Sequence, residues 1–168
     1  MNAKEQLIVA LDVPNMKQLE ELVNTLDDSV EYYKVGMELF YSCGHQVLAY
    51  LRGKNKKIFL DLKLHDIPNT VASAMASLTE LGVNIVNLHA IGGYPMMKAA
   101  ADAIKLRAKE LNIQPPKLIA VTVLTSMSTQ DWNQLNYSQD IQNQVVHLAQ
   151  LSQQAGCDGV VASPQEAA

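Results

Sequence analysis

Only two cysteines, Cys43 and Cys157, occur in the 168 residues, and they form neither a Cys-x-x-Cys pair nor part of a ligand cluster. Structural zinc and a disulfide scaffold are therefore poorly supported. Both thiols read as buried small hydrophobes. No apolar run approaches the roughly 18 residues of a membrane span. The first apolar stretch, Leu7 to Leu11, is cut off at once by Asp12, so no signal peptide is expected. An excess of positive charge is missing too. Thirteen basic residues against seventeen acidic ones leave a net charge of −4, which argues against nucleic acid or an anionic membrane as a partner. The seven methionines form no spaced stripe, so no cofactor box is indicated. These absences describe a soluble, cytoplasmic protein of a reducing compartment.

What is present is a globular composition, 48% hydrophobic and 18% charged, in a length that fits one domain over residues 1–168. Short runs rich in Val, Ile and Leu occur at 7–11, 31–35, 57–62, 83–89, 117–124 and 158–162. Each reads as a strand buried on both faces, as in a parallel sheet. Segments with helical spacing lie between them. Asn15 is placed to cap a helix carrying Met16, Leu19, Leu22, Val23 and Leu26 on one face. Asn69 or Thr70 is expected to cap the helix with Val71, Ala74, Met75 and Leu78, which Gly82 ends. Pro95 suits the first turn of a helix through Leu106. Asp140 opens the last helix and Gly156 stops it. Gly92-Gly93 reads as a strand-to-helix turn before Pro95.

Strand starts at 7, 31, 57 and 83 step by 24, 26 and 26 residues. A repeated strand–helix unit of that size marks an α/β fold with right-handed crossovers. The single period favours a barrel over a doubly wound sheet. No Gly-rich dinucleotide fingerprint follows the first strand, where the turn is Asp12-Val13-Pro14-Asn15. Six units are found, against the eight of a (β/α)8 barrel.

The most informative stretch is Asp61-Leu62-Lys63-Leu64-His65-Asp66-Ile67-Pro68-Asn69-Thr70. Residues two apart on a strand share a face, so Asp61 and Lys63 are expected to point one way and Leu60, Leu62 and Leu64 the other. In a barrel the charges would face inward near the strand's C-terminal end, where such enzymes keep their active sites. A structural ion pair at a strand rim would read the same from this motif alone. The second strand adds Lys34 at its end, in Tyr32-Tyr33-Lys34-Val35-Gly36. Two lysines and two aspartates, with Asp66 in the following loop, then alternate in one pocket. Neighbouring carboxylates favour a charged ammonium. That suits a lysine delivering a proton to a carbanion rather than a Schiff-base lysine, which must be neutral. His65 and His89 read mainly as motif and core residues, and His45 and His147 as surface or packing residues on helices.

The chain resembles bacterial orotidine 5′-monophosphate decarboxylases. The resemblance rests on LIVALDVP at 7–14, KVGMELF at 34–40, DLKLHDIPNT at 61–70, HAIGG at 89–93 and VTVLTSM at 121–127. It implies a (β/α)8 TIM-barrel fold, a homodimer with shared active sites, a nucleotide monophosphate substrate, and no cofactor or metal. It also implies site roles. Lys63 resembles the family's proton donor to C6 of the pyrimidine, and Asp61 the carboxylate beside the substrate's own. Lys34 and Asp66 match the rest of a charged tetrad. Asp66 and Thr70 match residues that reach into the partner subunit's site. Asp12 matches the ribose-binding aspartate, Thr125 lies in the loop that covers the pyrimidine, and the whole segment Asp61–Thr70 frames the nucleotide.

Two other readings stand beside this one. Magnesium-dependent 3-keto-gulonate phosphate decarboxylases and hexulose-phosphate synthases share the Asp-x-Lys-x-x-Asp core, but carry an acidic residue where Lys34 stands. The third reading is a catalytically impaired fragment, since the family's phosphate-binding seventh and eighth units find no counterpart before Ala168.

Overall fold

Alternating apolar runs and amphipathic segments fold as a succession of strands and helices. The computed structural model describes residues 6–164 and 166. Its strands are β1 (Ile8–Ala10), β2 (Tyr32–Gly36), β3 (Lys57–Leu64), β4 (Ile85–His89), β5 (Lys117–Val121) and β6 (Gly159–Val161). The helices are α1 (Met16–Leu26), α2 (Met37–Cys43), α3 (His45–Gly53), α4 (Pro68–Glu80), α5 (Gly93–Leu111), α6 (Thr129–Gln134) and α7 (Ile141–Ala155). The strands follow one another in chain order across one sheet. A doubly wound sheet requires that order to reverse, and here it does not. Among the described residues no helix is long and apolar enough to cross a membrane.

The chain packs as two compact units. The first comprises the residues up to Leu62 together with Leu81–Val86. Here Asn15 caps α1 by accepting the Gln18 N–H at 3.0 Å, and Leu19 and Val23 are its buried face. On β2, Tyr33 and Val35 are buried while Tyr32, Lys34 and Gly36 are partly exposed. Buried Val47, Leu48 and Leu51 of α3 add to this core. β1 and β2 pair in parallel with Ala10 opposite Lys34, and β2 and β3 with Lys34 opposite Phe59 and Gly36 opposite Asp61. Asn84 stitches itself to β3: its side-chain oxygen accepts the Ile58 N–H and its own N–H donates to the Ile58 carbonyl, both at 2.8 Å.

The second unit comprises Lys63–Glu80 and the chain from Asn87 onward. Helix α4, with Val71 and Met75 buried, packs against α5, whose buried side includes Met96, Met97, Ala100, Ala101 and Ile104. A Cβ at Gly92 would fall 2.2 Å from the Met96 sulfur, so a side chain there would require the buried Met96 side chain to move. Asp140 caps α7 by accepting the Asn143 N–H at 2.8 Å, and Gly156 ends it at φ +91°. β5 and β6 pair in parallel, Ile119 opposite Gly159.

Four expectations need correction. Neither Asn69 nor Thr70 caps α4, because Pro68 already occupies its first turn, where a fixed φ and a missing N–H cost nothing. The Ile67 carbonyl accepts the Val71 N–H at 3.2 Å instead. Strands β1 and β6 are not buried on both faces: Ile8 and Val160 are exposed, as suits strands at the two ends of the sheet order. The run at 117–124 leaves the sheet at Val121, and Leu124 is exposed. Cys43 and Cys157 are half-buried rather than buried, since each sits at or just beyond a helix end. Burial still pushes the Cys157 thiol up to about 11.

Candidate active site

Parallel register assembles the first cluster. Gly36 pairs with Asp61, and the β1–β2 register, continued two residues past Ala10 where β1 ends, brings Asp12 to the same row. Adjacent strands lie roughly 4.8 Å apart, and glycine leaves the middle of that row empty. The Lys34 side chain fills it. Its Nζ stands 3.3 Å from Asp12 Oδ1 and 3.3 Å from Asp61 Oδ2. The Asp61 side chain is 9% exposed and that of Asp12 69%, so the ammonium bridges a buried and a solvated carboxylate. A buried carboxylate needs such a partner.

Lys63 lies two residues beyond Asp61 near the end of β3. Its φ is +50°, a left-handed backbone conformation that is uncommon for a residue other than glycine, asparagine or aspartate. Leu60 is buried but Leu62 and Leu64 are only half-buried. The Lys63 N–H donates to the side-chain oxygen of Asn87, on β4, at 2.8 Å.

The remaining segment is exposed from His65 through Asp66, Ile67, Pro68 and Asn69 to Thr70. Asp66 turns one oxygen onto the Ile67 N–H at 2.6 Å, which orders the entry to α4. The His65 ring lies 5.8 Å from that of His89. Both histidines line a cavity of about 160 Å³ with Thr122, Val123, Met127 and Trp132 among its other walls. Thr125 is exposed on the loop between β5 and α6. Among the described residues no three His, Cys, Asp or Glu side chains are grouped to hold a metal.

Three features escaped the sequence reading. Asn87 had a visible signal, a single amide inside the apolar run Ile85–His89. Gly36 had a weaker one, a glycine two residues after a lone strand lysine. The Trp132 ring stacks on Tyr137 at 4.4 Å and donates its N–H to the Gln139 carbonyl at 2.8 Å; this arrangement comes from loop folding and leaves no periodic trace.

The profile of the orotidine 5′-phosphate decarboxylase / HUMPS family matches residues 5–168. The orotidine 5′-phosphate decarboxylase of Pelobacter propionicus is 43% identical over 164 residues, covering 98% of this chain and 67% of the relative. That of Bacillus mycoides is 46% identical over 163 residues, covering 96% and 68%. The chain thus spans about two thirds of the length of the curated relatives it matches. A crystal structure of the orotidine 5′-phosphate decarboxylase from Lactobacillus acidophilus superposes with a TM-score of 0.87 at 42% identity, covering 95% of this chain and 72% of that one. An uncharacterized conserved protein from Geobacillus kaustophilus gives 0.90 at 41% identity, covering 95% and 74%.

Proposed function

Because the chain belongs to the orotidine 5′-phosphate decarboxylase / HUMPS family, we propose that it carries the charged centre of a cytoplasmic, homodimeric decarboxylase. The fold is accordingly α/β, of the TIM-barrel family, with six strand–helix units in this chain. The substrate is orotidine 5′-monophosphate and the product uridine 5′-monophosphate, in pyrimidine biosynthesis, with no cofactor or metal.

In this reading the bond from C6 to the carboxylate breaks, the electron pair stays on C6, and carbon dioxide leaves. Lys63 gives a proton from Nζ to C6. Nothing delocalises that pair, so fixed charge must stabilise it. The observation that carries the proposal is the Lys34 ammonium at 3.3 Å from both Asp12 and the buried Asp61. Charges held in place before reaction need no reorganisation as negative charge gathers. Asp61 stands for the carboxylate beside the substrate's own, Asp12 for the ribose contact, and Thr125 for a contact to the pyrimidine. Asp66 and Thr70 serve the partner subunit's site, and their exposure on this chain supports that assignment.

Formation of uridine 5′-monophosphate, measured by chromatography with and without a chelator, tests the proposal. Product forms equally in both and fails to form with Lys63→Ala. Activity that dies with the chelator would assign the chain to a magnesium-dependent branch. Absence of both turnover and binding of the product nucleotide would overturn the reading.

A further inference from the structure

We propose that Asn87 is a positioning residue for Lys63: its side-chain oxygen holds the Lys63 backbone in the left-handed turn that roots the lysine side chain. The inference rests on the decarboxylase reading for what Lys63 does, but the geometry stands without it.

Lys63 is an unusual place for such a turn. The other non-glycine residues with positive φ among those described are Asp27, Asn55, Asn112 and Asn136, a residue class that tolerates this region. All four lie at turns or helix ends. Lys63 is neither Asn nor Asp and lies inside a strand. Strain of this kind persists only where the surroundings over-determine it.

Asn87 is what over-determines it. It is 2% exposed, between Val86 and Leu88, which are both fully buried. A buried amide is costly unless hydrogen-bonded, and an apolar residue would pack in a strand interior without that cost. Asn87 commits its oxygen to the Lys63 N–H at 2.8 Å, supplying the acceptor that this donor needs. The contrast with Asn84 is informative. Asn84 exchanges two hydrogen bonds with Ile58, one from its side chain and one from its backbone, at a residue with no positive φ. Asn84 staples a strand; Asn87 holds a turned residue. A lysine side chain has four rotatable bonds, so its root decides where the ammonium can reach. Misplacement by about 1 Å can cost a reaction about a hundredfold.

Asn87→Ala and Asn87→Asp decide the matter, the second retaining an oxygen in the acceptor position. The readouts are hydrogen exchange of the Lys63 amide, the Lys63 Cε resonance assigned through Lys63→Arg, and the kinetics of nucleotide formation. Asn87→Ala speeds Lys63 amide exchange about tenfold relative to Ile58, moves the Cε resonance, and lowers kcat with KM unchanged. Asn87→Asp keeps the amide protected. An unmoved Lys63 amide and Cε resonance in Asn87→Ala overturn the proposal. So does lost protection in Asn87→Asp, which decides alone should the alanine variant not fold. If Lys63→Ala leaves nucleotide formation intact, the decarboxylase reading falls, and the two resonance readouts still judge Asn87.

Discussion

A Cβ added to Gly36 would stand 3.3 Å from Lys34 Nζ and 3.8 Å from Asp12 Oδ1. Gly36 has φ −85° and ψ 178°, a conformation open to any residue, so the limit on a side chain here is one of space, set by the Lys34 ammonium. Gly36→Ala is expected to leave folding stability within about 0.5 kcal/mol, as for changes that create no core defect. It should shift the ammonium slightly against its two carboxylates and lower kcat/KM by up to about tenfold, equivalent to about 1.4 kcal/mol. Chemical denaturation and steady-state kinetics measured side by side check both halves.

Lys63 joins strain to the proposed chemistry, and two substitutions separate them. Both Lys63→Ala and Lys63→Gly remove the proton source and should lower the rate by at least about a hundredfold, the lower range for loss of a general acid. Only glycine relieves the positive φ. Lys63→Gly should therefore be more stable than Lys63→Ala by about 1 kcal/mol, read as a shift in urea midpoint. Equal midpoints would mean that the turn carries no strain.

If the active sites are shared across a dimer, as proposed, a mixing experiment shows it. Inactive Lys63→Ala and inactive Asp66→Ala subunits, once exchanged, should regain part of the activity, because some mixed dimers hold one intact composite site. Verified exchange without recovery would place Asp66 outside the partner's site.

Asp158 gives a pH-dependent test away from the site. Burial pushes its carboxyl up, but the hydrogen bonds from Lys117 and the Leu118 N–H, with the Lys117 and Lys105 charges, bring it below the ordinary value. Those bonds are 2.8 and 2.9 Å long. A carboxyl lowered by folding stabilises the native state above its unfolded pKa of about 3.9, and loses that effect as pH falls through the folded value. Asp158→Asn should therefore melt below the parent chain at pH 7, with the gap closing toward pH 3. A gap that holds constant across this range would contradict the assignment.

Local signals were legible in the sequence because they act between residues close in the chain. Asn15 and Asp140 cap their helices and Gly156 ends one through hydrogen bonds and dihedral preferences within a single turn. Apolar runs located all six strands, and the ten residues from Asp61 to Thr70 carried the family. Tertiary structure decided what depends on opposing chain segments. Register set Lys34, rather than a residue at position 36, between Asp12 and Asp61, and no feature of either strand alone specifies which residues of its neighbour lie opposite. The turn at Lys63 was hidden for the same reason. Lysine has no intrinsic preference for a left-handed backbone, and the group that fixes it there, the Asn87 side-chain oxygen, is twenty-four residues away in the chain and within hydrogen-bond reach only once the strands have formed.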